Sequence, residues 1–125
     1  MKGHKGIAAL IFSLILIFTL CAFLAFAAAK SPYKIGVNLE LTGPWAEVTK
    51  TLKNAMVLEV ERINKMGGIN GHPLELVFED NGFDVSRAAA NMTKCTRDKE
   101  IRLVVGPFED NLQATTRAIA EREKI

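Results

Sequence analysis

Cysteine, histidine and tryptophan are scarce in this sequence, with two, two and one copies among 125 residues. His4 lies near the N-terminus and His72 in a Gly/Pro-rich turn, so they offer no metal pair. There is no G-x-S-x-G elbow, no P-loop, no G-x-G-x-x-G, no C-x-x-C and no H-E-x-x-H. That removes the nucleophilic, nucleotide-binding, thiol-redox and zinc-hydrolase mechanisms those motifs carry. The residues call for no enzyme activity, no cofactor and no metal.

Charge is missing from one long stretch. Between Lys5 and Lys30 there is none, and "IAALIFSLILIFTLCAFLAF" is almost wholly apolar. Basic residues, an apolar run and then small residues are the order of a secretory leader, so residues 1–29 are expected to be a signal peptide. Ala25 and Ala27 satisfy the small-x-small rule and place a cut after Ala27, with Ala29 as the second position. The run also approaches the ~20 residues that span a bilayer, and an uncleaved anchor is the alternative. Cys21 belongs to this segment, which leaves Cys95 alone and without a disulfide partner. Its helical spacing from Ala88 and Met92 marks it as a small core residue.

An excess of either charge sign is also lacking. Without Lys2 and Lys5 the 16 basic residues become 14, equal to the acidic count. No basic stripe is left to follow a phosphate backbone, so no nucleic-acid partner is expected.

From residue 30 onward, β-favouring and helical patterns alternate. "YKIGVNLEL" (33–41) reads as a strand closed by "TGP". Leu52, Met56, Val60 and Ile63 recur at helical spacing, and Gly67 suits the left-handed position beyond that helix. "NGHP" turns the chain into "LELVFED" (74–80), whose alternation is a second strand. Asp84 is placed to cap a helix over 85–97 with Ala88, Met92 and Cys95 inward. "IRLVVG" (101–106) is a third strand, and a last helix over 111–123 carries Ala114, Ala118 and Ile119. Asn91-Met92-Thr93 matches a glycosylation triplet but falls inside the second helix, where the match is coincidental.

Three strand-helix pairs in this order predict an α/β fold, a doubly wound parallel sheet. The rhythm predicts a fourth strand after Ile125, so the sheet is expected to be incomplete and the chain a fragment. Ligands of such sheets sit beyond the carboxyl ends of the strands, where the loops 41–48, 81–84 and 106–111 share one rim. Trp45 lies on the first of these loops and either covers a ligand or folds onto the sheet edge. Phe108, Glu109 and Asp110 lie on the third. Asp110 can cap the following helix, with Glu109 favoured by the helix dipole, or the acids can meet a cationic or hydrogen-bond-donating ligand group.

The segments "YKIGVNLELTGPWA", "NAMVLEVERINKMGGINGHPLELVFEDNGFD" and "IRLVVGPFEDN" resemble the N-terminal part of the periplasmic leucine/isoleucine/valine-binding proteins. The resemblance runs unbroken from Tyr33 to Ile125. It implies that residues 30–125 are the first part of the N-terminal lobe of a two-lobed, hinge-closing solute receptor. The function implied is extracytoplasmic, periplasmic binding of a branched-chain amino acid or related amide for an ABC importer, with the membrane permease as partner. An extracellular sensor domain of the same fold is the alternative. In relatives the first loop often has an aromatic followed by Gly where Val48 and Thr49 stand, so the resemblance implies Val48 as a ligand-side residue and leaves any aromatic cover to Trp45. Where relatives carry a small hydroxyl residue that holds the ligand carboxylate, this chain has Phe108, Glu109 and Asp110. A carboxylate facing a carboxylate is repulsive, so either the ligand has none at that spot or the acids turn away as caps.

Overall fold

The computed structural model describes residues 30–125, and the expected leader, with its cleavage position, lies outside the described residues. In chain order the elements are β1 (Tyr33–Leu39), α1 (Ala46–Lys65), β2 (Leu74–Asp80), α2 (Val85–Arg97), β3 (Ile101–Val105) and α3 (Asp110–Glu123). The three strands form one parallel sheet in the order β2-β1-β3. The doubly wound α/β architecture read from the sequence is the one observed.

Strand order explains the placement of the helices. The chain steps from β1 to β2, then passes back across β1 to reach β3, and right-handed crossovers in opposite directions put their helices on opposite faces. Side chains of β1 alternate accordingly. Ile35 shares a cluster with Met56, Val60 and Ile63 of α1, joined by Leu74, Leu76 and Val105. Gly36 and Asn38 point the other way, towards Cys95 and Ala88 of α2. Gly36 through Leu39 are buried because helices cover both faces and strands flank both edges.

The turn between α1 and β2 is built as its glycines suggest. Gly68 N–H donates to Ile63 O and Gly67 N–H to Asn64 O, both at 3.0 Å, a Schellman closure with Gly67 at φ 99°. Asn70 and Gly71 then both take positive φ, and Ile69 and His72 exchange two backbone hydrogen bonds across them, a tight two-residue hairpin. The Asn64 side chain clamps the start of β2, donating to Leu74 O at 2.9 Å and accepting from Leu74 N–H at 2.7 Å.

Two readings change. β1 ends at Leu39, two residues early: Leu39 O takes the last sheet bond, from Asn81 N–H just after β2, and the Glu40 that follows is engaged by the third loop instead. On α3, Ala114 and Ala118 are exposed and the buried stripe is Leu112 and Thr116, with Ile119 half-buried. Thr116 can face inward since its hydroxyl donates to Leu112 O at 3.0 Å within its own helix. β3 has no strand on its outer side among the described residues, and Leu103 is 54% exposed there. Beside it, Leu52 and Met56 of α1 face Val105 and Pro107 across a groove of about 420 Å³.

Gly36 gives a packing test. A Cβ built there would lie 2.8 Å from Cys95 Sγ and 3.3 Å from its Cβ. Gly36→Ala is therefore expected to cost about 1–3 kcal/mol as overpacking, and combining it with Cys95→Ala should recover part of that loss. Denaturant midpoints of the two single variants and the double would check this; strictly additive losses would mean the sulfur is not the obstacle.

Candidate functional site

The three loops beyond the carboxyl ends of the strands meet, and two carboxyl groups tie them together. Glu40, immediately after β1, is fully buried. Its Oε2 accepts Phe108 N–H and its Oε1 accepts Glu109 N–H, each at 3.2 Å. Its backbone carbonyl accepts the hydroxyl of Thr49 at 2.5 Å, which anchors the first turn of α1 to the end of β1. Gly106 lets the third loop lie directly on β1, since a Cβ there would stand 2.2 Å from Asn38 O and its φ is 91°. The peptide that follows, Gly106-Pro107, is cis.

Asp80 closes β2 and joins the first and second loops. Its Oδ1 accepts Thr42 N–H at 3.1 Å and Gly82 N–H at 2.9 Å, and its Oδ2 accepts the Thr42 hydroxyl at 2.7 Å. Arg87 of α2 stands 3.6 Å from the same carboxylate and donates to Asp80 O at 3.1 Å. Burial alone would raise the Asp80 carboxyl, but the hydrogen bonds from Thr42 and Gly82, with Arg87 beside it, outweigh burial and hold it below the usual aspartate range.

Beneath these loops lies an amide network. Asn38 donates to Ala88 O at 2.9 Å and accepts from Asn81 and Asn91, each at 3.3 Å. Asn81 Oδ1 in turn accepts Phe83 N–H at 2.9 Å, holding Phe83 at φ 67°. Asn91, the residue of the glycosylation triplet, is thus engaged inside the fold. Polar side chains at these buried positions are tolerated because each has a partner.

The residues expected at the site are partly gathered. Trp45 and Phe108 meet edge to face, ring centroids 5.8 Å apart, so the first and third loops share an aromatic wall. Trp45 occupies the cap position of α1 without a side-chain capping bond. Val48 lies on the first turn of α1 and is 44% exposed. The capping roles of the acids are exchanged: Glu109, not Asp110, caps α3, its carboxyl accepting Asn111 N–H at 3.4 Å. Asp110 is the first helical residue and is exposed. The exchange follows from Glu40, which draws Glu109 N–H inward and leaves Glu109 as the last extended residue before the helix.

Sequence reasoning passed over Glu40, Thr49 and Asp80. The available signal was a charged residue at 40 directly after the apolar run of β1, on the same side of the strand as Gly36 and Asn38. Such a group, close to a sheet centre, has to find donors. Among the described residues no three His, Cys, Asp or Glu side chains gather as a metal site, and no helix is long and apolar enough to cross a membrane.

Known proteins are similar to this chain in sequence and fold. Residues 32–125 match the family described as periplasmic binding protein. The leucine-, isoleucine-, valine-, threonine- and alanine-binding protein of Pseudomonas aeruginosa is 32% identical over 87 residues, 70% of this chain and 23% of that protein. A Leu/Ile/Val-binding protein of Rhizobium johnstonii is 39% identical over 90 residues, 71% of this chain and 24% of its own. Among solved structures, the branched-chain amino acid transporter substrate-binding protein of Streptococcus pneumoniae, in complex with isoleucine, superimposes with a TM-score of 0.71 at 31% identity, covering 75% of this chain and 27% of that one. A type 1 periplasmic binding protein of Bordetella pertussis gives 0.68 at 29% identity, covering 74% and 25%. The chain spans about a quarter of the length of the relatives it matches.

The Asp80 clasp makes a pH prediction. Because its folded pKa is lowered, Asp80 stabilises the fold above the unfolded aspartate value, and that contribution disappears as pH falls through the lowered folded value. Asp80→Asn should lower stability at neutral pH by about 1–3 kcal/mol and flatten the acid side of the stability profile. Urea midpoints from neutral to acid pH would show it; an acid side as steep as that of the unmodified protein would remove the role given to Asp80.

Proposed function

The chain belongs to the periplasmic binding protein family, and on that premise we propose that residues 30–125 form the first part of the N-terminal lobe of an extracytoplasmic solute receptor. The receptor delivers a branched-chain amino acid or a related amide to the permease of an ABC importer. The observation that carries this reading is the coincidence of two facts. The relatives that match over this region include proteins named for leucine, isoleucine and valine, and the rim formed at the carboxyl ends of the strands presents an apolar aromatic wall, Trp45 with Phe108.

The chemistry of the reading is binding without bond-making. An aliphatic side chain lies against the aromatic pair and loses water on both surfaces, and closure of the opposing lobe completes the enclosure. The rim has to be rigid for this, since every loop ordered on binding subtracts from affinity. Glu40 and Asp80 supply that rigidity before any ligand arrives. Export fits the basic and then apolar order of residues 1–29, which deliver the domain outside the cytoplasm either as a cleaved leader or as an anchor.

Calorimetric titration of the full-length exported protein with leucine, isoleucine, valine and their amides is expected to give micromolar or tighter binding to at least one. Trp45→Ala should weaken it about tenfold, a loss of about 1.4 kcal/mol. Saturable binding to none of these aliphatic solutes would reject the proposal.

A further inference from the structure

The ligand class can be narrowed further, on the premise of the solute-binding reading above. The N-terminus of a helix normally offers unpaired N–H groups to an anion. At the start of α3 most of these donors, Asp110 N–H excepted, are engaged from within the protein. Phe108 N–H and Glu109 N–H go to the two oxygens of Glu40, and Asn111 N–H goes to the Glu109 carboxyl. Leu112 N–H and Gln113 N–H both turn to Glu109 O. Because Glu40 is fully buried, the donors it takes point beneath the rim. Of the acidic side chains of the same loop, Glu109 is half-buried with its carboxyl on Asn111 N–H, and Asp110 is exposed.

We infer that Glu40 is a positioning residue that sets ligand specificity: it holds the Phe108 and Glu109 N–H groups inward, denies them to a ligand carboxylate, and leaves this half of the site to the uncharged amide end of an amino-acid amide. The loop cannot readily turn over to change this. Gly106 rests against Asn38 O with no room for a side chain, and Phe108 is pinned against Trp45. A ligand carboxylate brought here would meet Glu109 and Asp110 with no free donor pair to offset the repulsion, and the removal of water on closure would sharpen the penalty. An amide replaces that negative charge with N–H donors, for which the exposed Asp110 carboxylate is a partner.

The test compares L-leucine with L-leucinamide, titrated calorimetrically into the full-length protein near pH 6.5, where both α-amines are protonated. Leucinamide is expected to bind at least tenfold more tightly. In Glu40→Gln the side-chain nitrogen cannot accept, one loop N–H is released, and the ratio should fall towards one. A merely structural role for Glu40 would weaken both ligands equally and leave the ratio unchanged, which would overturn the inference. Leucine binding as tightly as leucinamide to the unmodified protein would also overturn it while leaving the solute-binding reading intact. Binding of neither, nor of any aliphatic relative, would remove that reading and the inference together. If Glu40→Gln does not fold, Glu40→Asp, which keeps both oxygens but withdraws them by one methylene, should still narrow the ratio.

Discussion

β1 is hydrogen-bonded along both edges and covered on both faces, so each side chain it carries must be accommodated by a neighbour. Its α1-facing residues solve the problem by being apolar. Its α2-facing residues solve it in three other ways. Gly36 has no side chain and admits Cys95; Asn38 finds Ala88 O and two further asparagines; Glu40 finds the N–H groups of Phe108 and Glu109. The arrangement of the rim is a consequence of this one strand being enclosed.

A buried carboxyl costs several kcal/mol unless hydrogen bonds replace its water, and this requirement links distant parts of the sequence. Glu40 and the loop at 108–109 are brought together because neither can satisfy its polar groups otherwise. Asp80 does the same for the first two loops from a less buried position. The rim is thus held together from within the fold, and its electrostatic character follows from which donors have been taken inside. Conservative changes at Glu40 or Asp80 act on the rim through the backbone they hold.

Much of the fold was legible in the residues. The strand-helix alternation, the Gly67 stop, the Asn70-Gly71 turn, the Asp84 cap and the burial of Cys95 all follow from local rules of backbone conformation and periodicity. The helix α3 was legible too, but its buried face was not. Ala114 and Ala118 are apolar but small, whereas Leu112 and Thr116 offer more surface to α2, and Thr116 satisfies its hydroxyl within its own helix. The site was legible only in part. Trp45 and Phe108 stand out as isolated aromatics on loops, but their contact depends on the 2.2 Å clearance at Gly106 and on the Glu40 bridge, neither of which leaves a local pattern.

The sequence by itself determined the order of elements, the parallel α/β class, the family likeness and which loops share a rim, because periodicity, capping and chain connectivity act over a few residues at a time. Only the tertiary structure decided that Glu40 faces the third loop, that Glu109 and not Asp110 caps α3, and that the N–H groups of Phe108 and Glu109 turn inward. These depend on which buried polar groups find each other across some 70 positions of chain, Glu40 to Phe108 and Glu109. No spacing rule carries that information, since the pairing is settled by enclosure and the exclusion of water.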